Sequence, residues 1–329
     1  MATHTPIRSS VAVALTAAAL LAGTVRPAAA VRSGCGGTTT LLAADTSVSL
    51  GVTETRRFAA SVAPAYGWPV KPFDRPHPVR ANFDDPRIGA GGSESFHFGI
   101  DVAAPDRAPV YAVTGGIAYV RPGSVAVALS DTHAFGYWHV RAVVRNHQSI
   151  HRYQLLGYVI PGWEHVHFAE RVDGVYLNPL RPGALGPYVD RTPPEIGEIS
   201  LSRRRRGGFE VFANAYDTPS LRVPGAWANE PVSPALLQWR ISRNDHLGRW
   251  RTAADFRKAL LTAVRFHSVY APPTRQNHKG AAGYYCFFLP HRWKPADGSY
   301  RIEVAASDIR GNRTAARLDL IVAHGEVRT

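Results

Sequence analysis

Cysteine is almost missing from this chain of 329 residues, which carries only Cys35 and Cys286. At most one bridge can form, so a fold held by a disulfide framework is excluded, and whether these two pair is left open. Lysine is nearly as scarce. Lys71, Lys258, Lys279 and Lys294 are the only ones, so the formal net charge of +13 is almost entirely arginine. No basic helix interleaved with base-reading side chains occurs, and the arginine run at 203–206 stands alone before two glycines. Specific nucleic-acid recognition is therefore not expected, and the run reads as a solvated turn or strand end. Long helical periods are missing too: only "AADFRKALLTAV", at 253–264, looks helical. The apolar stretch "VAVALTAAALLAG" at 11–23 falls short of the roughly 20 residues a membrane-spanning helix needs.

That stretch follows Arg8 and precedes "RPAAAV", a small-x-small pattern. Together they read as a signal peptide over 1–30 with cleavage near Ala30, hence a secreted or cell-envelope protein with no transmembrane segment in the mature chain. A second reading makes Cys35 a lipid-modified residue, although Pro27 and Arg32 interrupt the approach to it. A basic exported protein would also be drawn to anionic cell-wall polymers.

With 45% hydrophobic residues the remainder is long enough for two domains with real cores. Residues 31–64 read as a linker. From Tyr66 onward short strand signals follow one another between Gly, Pro, Asn and Asp turns, giving a compact all-β domain over 65–189. The proline-stiffened "DRTPPEI" at 190–196 marks a boundary. Strand signals then resume, ending in "SYRIEVAASD" and "AARLDLIVA" joined by "IRGN", which fits a β-sandwich over 190–324 followed by a short tail over 325–329.

Histidine is concentrated in the first domain. In "WEHVHFAE", His165 and His167 stand two apart and share one face of a strand. In "HFGID", His97 and Asp101 stand four apart and also return to one face, while "YWHV" places His139 on an expected third strand. Histidines, an aspartate and a water would satisfy a tetrahedral zinc with an open position. No H-E-x-x-H is present, so the glutamate base of that arrangement is not available. Glu170 lies on the opposite strand face from the histidine pair and Glu164 reads as a turn carboxylate. His77, His133, His147 and His151 fall outside the motifs and read as surface or loop residues.

The segments "HFGIDVAAPDRAPVYAVTGGIAYV", "YWHV" and "HVHFAERVDGVYLNPL", in that order between about Trp68 and Leu180, resemble the M23 (LytM/lysostaphin-type) zinc metallopeptidases. The resemblance implies that His97, Asp101 and His167 bind Zn2+ and that His139 and His165 are the free catalytic imidazoles beside it. It implies a peptidase domain of antiparallel sheets, followed here by an immunoglobulin-like sandwich, and an exported endopeptidase that hydrolyses peptide bonds of peptidoglycan. Zinc polarises a carbonyl and brings the pKa of a coordinated water to about 7, and a neutral imidazole can take the water's proton. The rival is a catalytically silent or latent relative that grips the wall or a partner without cutting. One departure bears on latency: "ANFDDPR" replaces the usual glycine-rich turn, so the side chain of Asn82 or Asp84 is placed to fill the open zinc position.

Overall fold

The computed structural model describes residues 34–36, 40–42, 63–89, 91–228 and 230–328. The expected signal peptide and most of the expected linker lie outside the described residues. Within them no helix is long and apolar enough to cross a membrane. The protein is all-β, with a single short α-helix, Phe266–Val269, among the described residues.

The first half is built on one antiparallel sheet. Its principal strands are β1 (Val79–Ala81), β2 (Ile100–Ala103), β3 (Gly116–Arg121), β4 (Ser124–Ala128), β5 (His133–Trp138) and β6 (His165–Val172). In space they run β3-β4-β5-β6-β2-β1, with Ser149–Ile150 at the β3 edge and Val175–Leu177 paired to the end of β6. Val140–Ala142, Leu155–Val159 and Pro109–Tyr111 form a second, three-stranded sheet. Strand β6 is central and covered on both faces. Its period of two sends Val166 and Phe168, both 0% exposed, into the core with Ile100, Val102 and Tyr137, and sends His165 and His167 the other way.

The second half stacks two antiparallel sheets. One contains β7 (Glu195–Arg203), β8 (Phe209–Tyr216) and β11 (Cys286–Phe288). The other contains β9 (Leu236–Arg243), β10 (Arg251–Asp255), β12 (Gly298–Ser307) and β13 (Arg313–Ala323). Leu201, Val211 and Ala213 from the first meet Leu237, Ile302, Val304 and Leu320 from the second in one core, the arrangement of a sandwich.

Three expectations change. The helix expected over 253–264 is absent: Arg251–Asp255 pairs with β9, and Ala254 and Phe256 enter the core. Burial of these two side chains on a pleated surface outweighs helix propensity. The tail expected over 325–329 contributes a strand, Glu326–Arg328, paired to the end of β13. His324 and Gly325 both take positive φ (53° and 75°), as a two-residue hairpin turn with the sheet's twist demands. Inside the expected linker, Thr40–Leu42 pairs with Ser200–Ser202, and Cys35 forms a disulfide with Cys286.

The described residues form one compact unit, and the two cores interlock. Phe96 leaves the first half to pack with Phe256, Phe266 and Tyr270, whereas Ala235 and Ile309 join the first core. Asn178 donates its side-chain amide to the Phe256 carbonyl at 2.8 Å and its backbone N–H to the Lys258 carbonyl at 2.7 Å. Tyr270 donates to the Asp84 carbonyl at 2.9 Å.

Candidate functional site

The register of the central strands assembles the site. His167 on β6 lies directly opposite Asp101 on β2, and opposite Trp138 on β5. Cross-strand partners share a sheet face, so His167 and Asp101 project together, and His165, two residues earlier, projects beside them. His97 sits just before β2 and is carried in from the neighbouring loop.

The contacts are close. His97 Nε2 lies 2.7 Å from His167 Nδ1 and 3.2 Å from Asp101 Oδ1, which is 3.1 Å from His167 Nδ1. His165 Nε2 lies 3.4 Å from the same oxygen. All four residues are buried, at 2%, 6%, 2% and 5% exposure for His97, Asp101, His165 and His167.

Supporting hydrogen bonds settle which ring nitrogens face inward. His97 Nδ1 donates to the Asn82 carbonyl at 2.7 Å, so a neutral His97 turns the lone pair of Nε2 toward the cluster. His165 Nδ1 donates to the Trp163 carbonyl at 2.6 Å, which likewise leaves Nε2 as an acceptor. Arg87 donates to Asp101 Oδ2 at 3.1 Å and leaves Oδ1 for the cluster. His167 differs. Its Nε2 is buried without a hydrogen-bond partner, and its ring is held instead edge to face by Phe98 and Trp138, with centroids 4.5 and 5.0 Å away.

Electrostatics keep the donors in ligating form. Burial, and next the Arg87 guanidinium, push the His97 imidazole down to about 3. Burial also lowers His167, and burial followed by the nearby His165 takes His139 down to about 3. Burial works against the charge on Asp101, yet the imidazoles of His97 and His165 hold it well below the usual carboxylate range. Two neutral imidazoles and one carboxylate therefore converge at neutral pH.

That set fits zinc. Ligand atoms about 2.0–2.2 Å from a tetrahedral ion lie roughly 3.3–3.6 Å apart, so the separations above need to open by only tenths of an ångström. The donors are two nitrogens and one oxygen, and all three residues line an open groove.

His139 reaches the groove by a different device from the strand expected of it. It is a bend at φ 64° between β5 in the large sheet and Val140–Ala142 in the small one. Such a conformation is uncommon for a residue with a Cβ, and here it marks where the chain changes sheets and re-aims the ring. The imidazole stacks on Trp163 at 3.5 Å between centroids and lies 4.5 Å from that of His165.

The groove has a volume of about 540 Å3, and its wall includes residues missed by sequence reasoning. Arg80, Arg87 and Trp163 come from the first half; Trp227, Gln276 and His278 come from the second, which showed no site of its own in sequence. Arg80 stacks over Trp227 at 3.9 Å and reaches His165 Nε2 at 3.5 Å. Glu164, at φ 52°, ties the same halves by accepting from Trp227 Nε1 at 3.2 Å and Lys279 Nζ at 2.8 Å. No local pattern announces these residues, since each contributes only by packing across two cores.

Other expectations resolve as follows. The side chains of Asn82 and Asp84 do not fill the open position: Asn82 Nδ2 donates to the Ser233 carbonyl at 3.2 Å, and Asp84 Oδ1 accepts from the Leu261 N–H at 3.2 Å. Both bind the second half of the chain. Glu170 faces away from the cluster, buried in contact with Tyr66, His133 and Arg181. His77, expected at the surface, is 8% exposed; it packs beside Trp68 and donates from Nε2 to the Pro72 carbonyl at 2.8 Å.

No family model and no curated protein matches the chain. Among solved structures it is similar to a zinc-containing peptidase from Vibrio cholerae, at 21% identity and a TM-score of 0.30, over 34% of this chain and 38% of that one. It is similar to the catalytic domain of the antimicrobial peptidase lysostaphin from Staphylococcus simulans, at 19% identity and a TM-score of 0.26, over 30% and 81%. A third is the catalytic domain of the prophage-encoded M23 protein EnpA from Enterococcus faecalis, at 27% identity and a TM-score of 0.24, over 35% and 90%. The chain thus spans about two fifths of the Vibrio cholerae protein.

Proposed function

We propose that this protein is an exported zinc endopeptidase of the M23 type that hydrolyses peptide bonds in peptidoglycan. One observation carries the reading: the inward atoms of His97, Asp101 and His167 meet at 2.7–3.2 Å beside two further imidazoles in an open groove. His97, Asp101 and His167 would hold a zinc ion, which would supply polarisation of the scissile carbonyl and acidification of a water.

His165 is the base. Its Nδ1 is committed to the Trp163 carbonyl, so Nε2 takes a proton from water and the resulting imidazolium remains hydrogen-bonded to that carbonyl. The same proton is then available to the departing amine. His139, held flat against Trp163, donates to the oxygen on which charge develops. Arg80, fixed over Trp227, supports the position of His165 and adds positive charge to the groove. The sandwich, read as immunoglobulin-like, supplies one groove wall and leaves a basic exterior for anionic wall polymers.

The test is mass spectrometry of soluble fragments released from purified peptidoglycan, with bound zinc counted in the same preparations. New amino termini are expected with the wild type and are lost in His165→Ala and His139→Ala proteins that still hold zinc. A wild type that holds zinc and releases nothing refutes hydrolysis and leaves a binding protein.

A further inference from the structure

Three carboxylates far apart in sequence meet at one end of the sandwich. Asp190 precedes β7, Asp217 follows β8 and Asp308 follows β12, and one oxygen of each lies within 4.8 Å of one oxygen of the others. They are 6%, 1% and 3% exposed. No Lys, Arg or His among the described residues pairs with any of them.

Nearby donors satisfy the cluster only in part. Asp190 Oδ1 accepts from the N–H and hydroxyl of Thr192, at 3.1 and 3.0 Å, and from those of Ser220, at 3.0 and 2.6 Å. Asp308 accepts from the Asn312 N–H at 2.8 Å and from its side-chain amide at 2.6 Å, and Asp217 Oδ1 accepts from the Thr218 N–H at 2.8 Å. Asp190 Oδ2 is buried with no hydrogen-bond partner. Neutral donors already crowd its neighbour Oδ1, so what the orphaned oxygen and its two acidic companions lack is positive charge.

We propose that Asp190, Asp217 and Asp308 form a second metal site, for one calcium ion. The donors are all hard oxygens, which excludes a preference for zinc or copper. Oxygens bound at about 2.4 Å to a common calcium lie at most about 4.8 Å apart, and the three here fall within that limit; calcium also accepts an irregular, flexible set of carboxylates, whereas magnesium demands a near-octahedral cage.

The ion would sit where the sandwich meets the first core: Asp217 and Asp308 follow β8 and β12 of the sandwich, while Tyr188, two residues before Asp190, and Ile309, next to Asp308, pack in the first core. Asn312 already donates from its side chain to the Asp190 carbonyl at 3.1 Å. Calcium thus pins the crossing between the two halves, and with it the groove wall that the second half supplies.

The test is calcium titration of the whole protein with zinc saturating, read by calorimetry and by thermal unfolding. One calcium per chain is expected, with Tm rising by roughly 4–5 °C at a hundredfold excess over Kd. Asp217→Asn and Asp308→Asn should abolish both responses, while His97→Ala should keep them, which separates this site from the histidine cluster. A wild type that binds no calcium at millimolar concentration, with an unchanged Tm, overturns the proposal; so does full calcium binding by the Asp→Asn proteins. Should those variants not fold, the wild-type isotherm decides alone.

Discussion

Gly99, between His97 and Asp101, offers a steric test of how the histidine cluster is built. A Cβ at this position would lie 2.4 Å from the Phe168 carbonyl oxygen and 2.8 Å from His167 Nε2. The first contact is about 1 Å short of ordinary van der Waals separation, and its partner is backbone of the central strand, paired to β2 at Ile100. Gly99 is not among the positive-φ glycines, so an alanine there meets no backbone penalty and the effect is crowding alone. Overpacking of this kind costs about 1–3 kcal/mol, and the immobile carbonyl places Gly99→Ala toward the upper end. The second contact pushes the His167 ring off its position, for which a loss of about 10- to 100-fold in zinc affinity is expected, the range seen when a ligand loses its support. Thermal unfolding of metal-free protein reads the first effect, and competition with a chromophoric chelator reads the second. Wild-type Tm and wild-type zinc affinity in Gly99→Ala would refute the packing argument and with it the assigned place of His167.

Asp84 is buried, with burial raising its pKa to about 8, so its folded state holds a proton that the unfolded chain releases near pH 4. Stability should therefore fall by up to about 1.4 kcal/mol per unit as pH rises from about 4 to 8, and Asp84→Asn, measured by denaturant unfolding, should remove that slope. Glu170 accepts both Arg181 guanidinium nitrogens, at 2.6 and 2.8 Å, while 2% of its side chain is exposed. Glu170→Ala should destabilise by about 3 kcal/mol in urea titration, with zinc stoichiometry unchanged, because the pair lies on the face away from the metal cluster. Trp227→Ala removes the surface on which Arg80 rests; a fall of about 3- to 30-fold in kcat/KM on peptidoglycan peptides, at constant zinc content, is the expected outcome.

The histidine cluster is legible in sequence because its motifs are local. H-x-H reports a shared face because His165 and His167 lie on one strand, whose period converts spacing into direction; H-x-x-x-D names the right pair, but His97 reaches Asp101 from the loop before β2 rather than by strand alternation. His139 is legible as a residue but not as a geometry, because its ring is aimed by a positive-φ bend between two sheets rather than by strand alternation. The false helix at 253–264 has the opposite cause: its composition favours helix, and the burial of Ala254 and Phe256 in the sandwich core draws its first residues, to Asp255, into a strand.

Sequence alone determined the all-β character, the succession of short strands and the shared face of His165 and His167; that His167 stands opposite Asp101 was decided by the register of β6 against β2. Tertiary structure alone decided that Trp227, Gln276 and His278 close the groove, that Asn82 and Asp84 turn toward the second half, and that Asp190, Asp217 and Asp308 meet. The physical reason is the range of the constraint. Backbone periodicity fixes which way a side chain points, whereas the convergence of distant loops follows from how two cores bury their apolar surface against each other, and no spacing in the sequence encodes that.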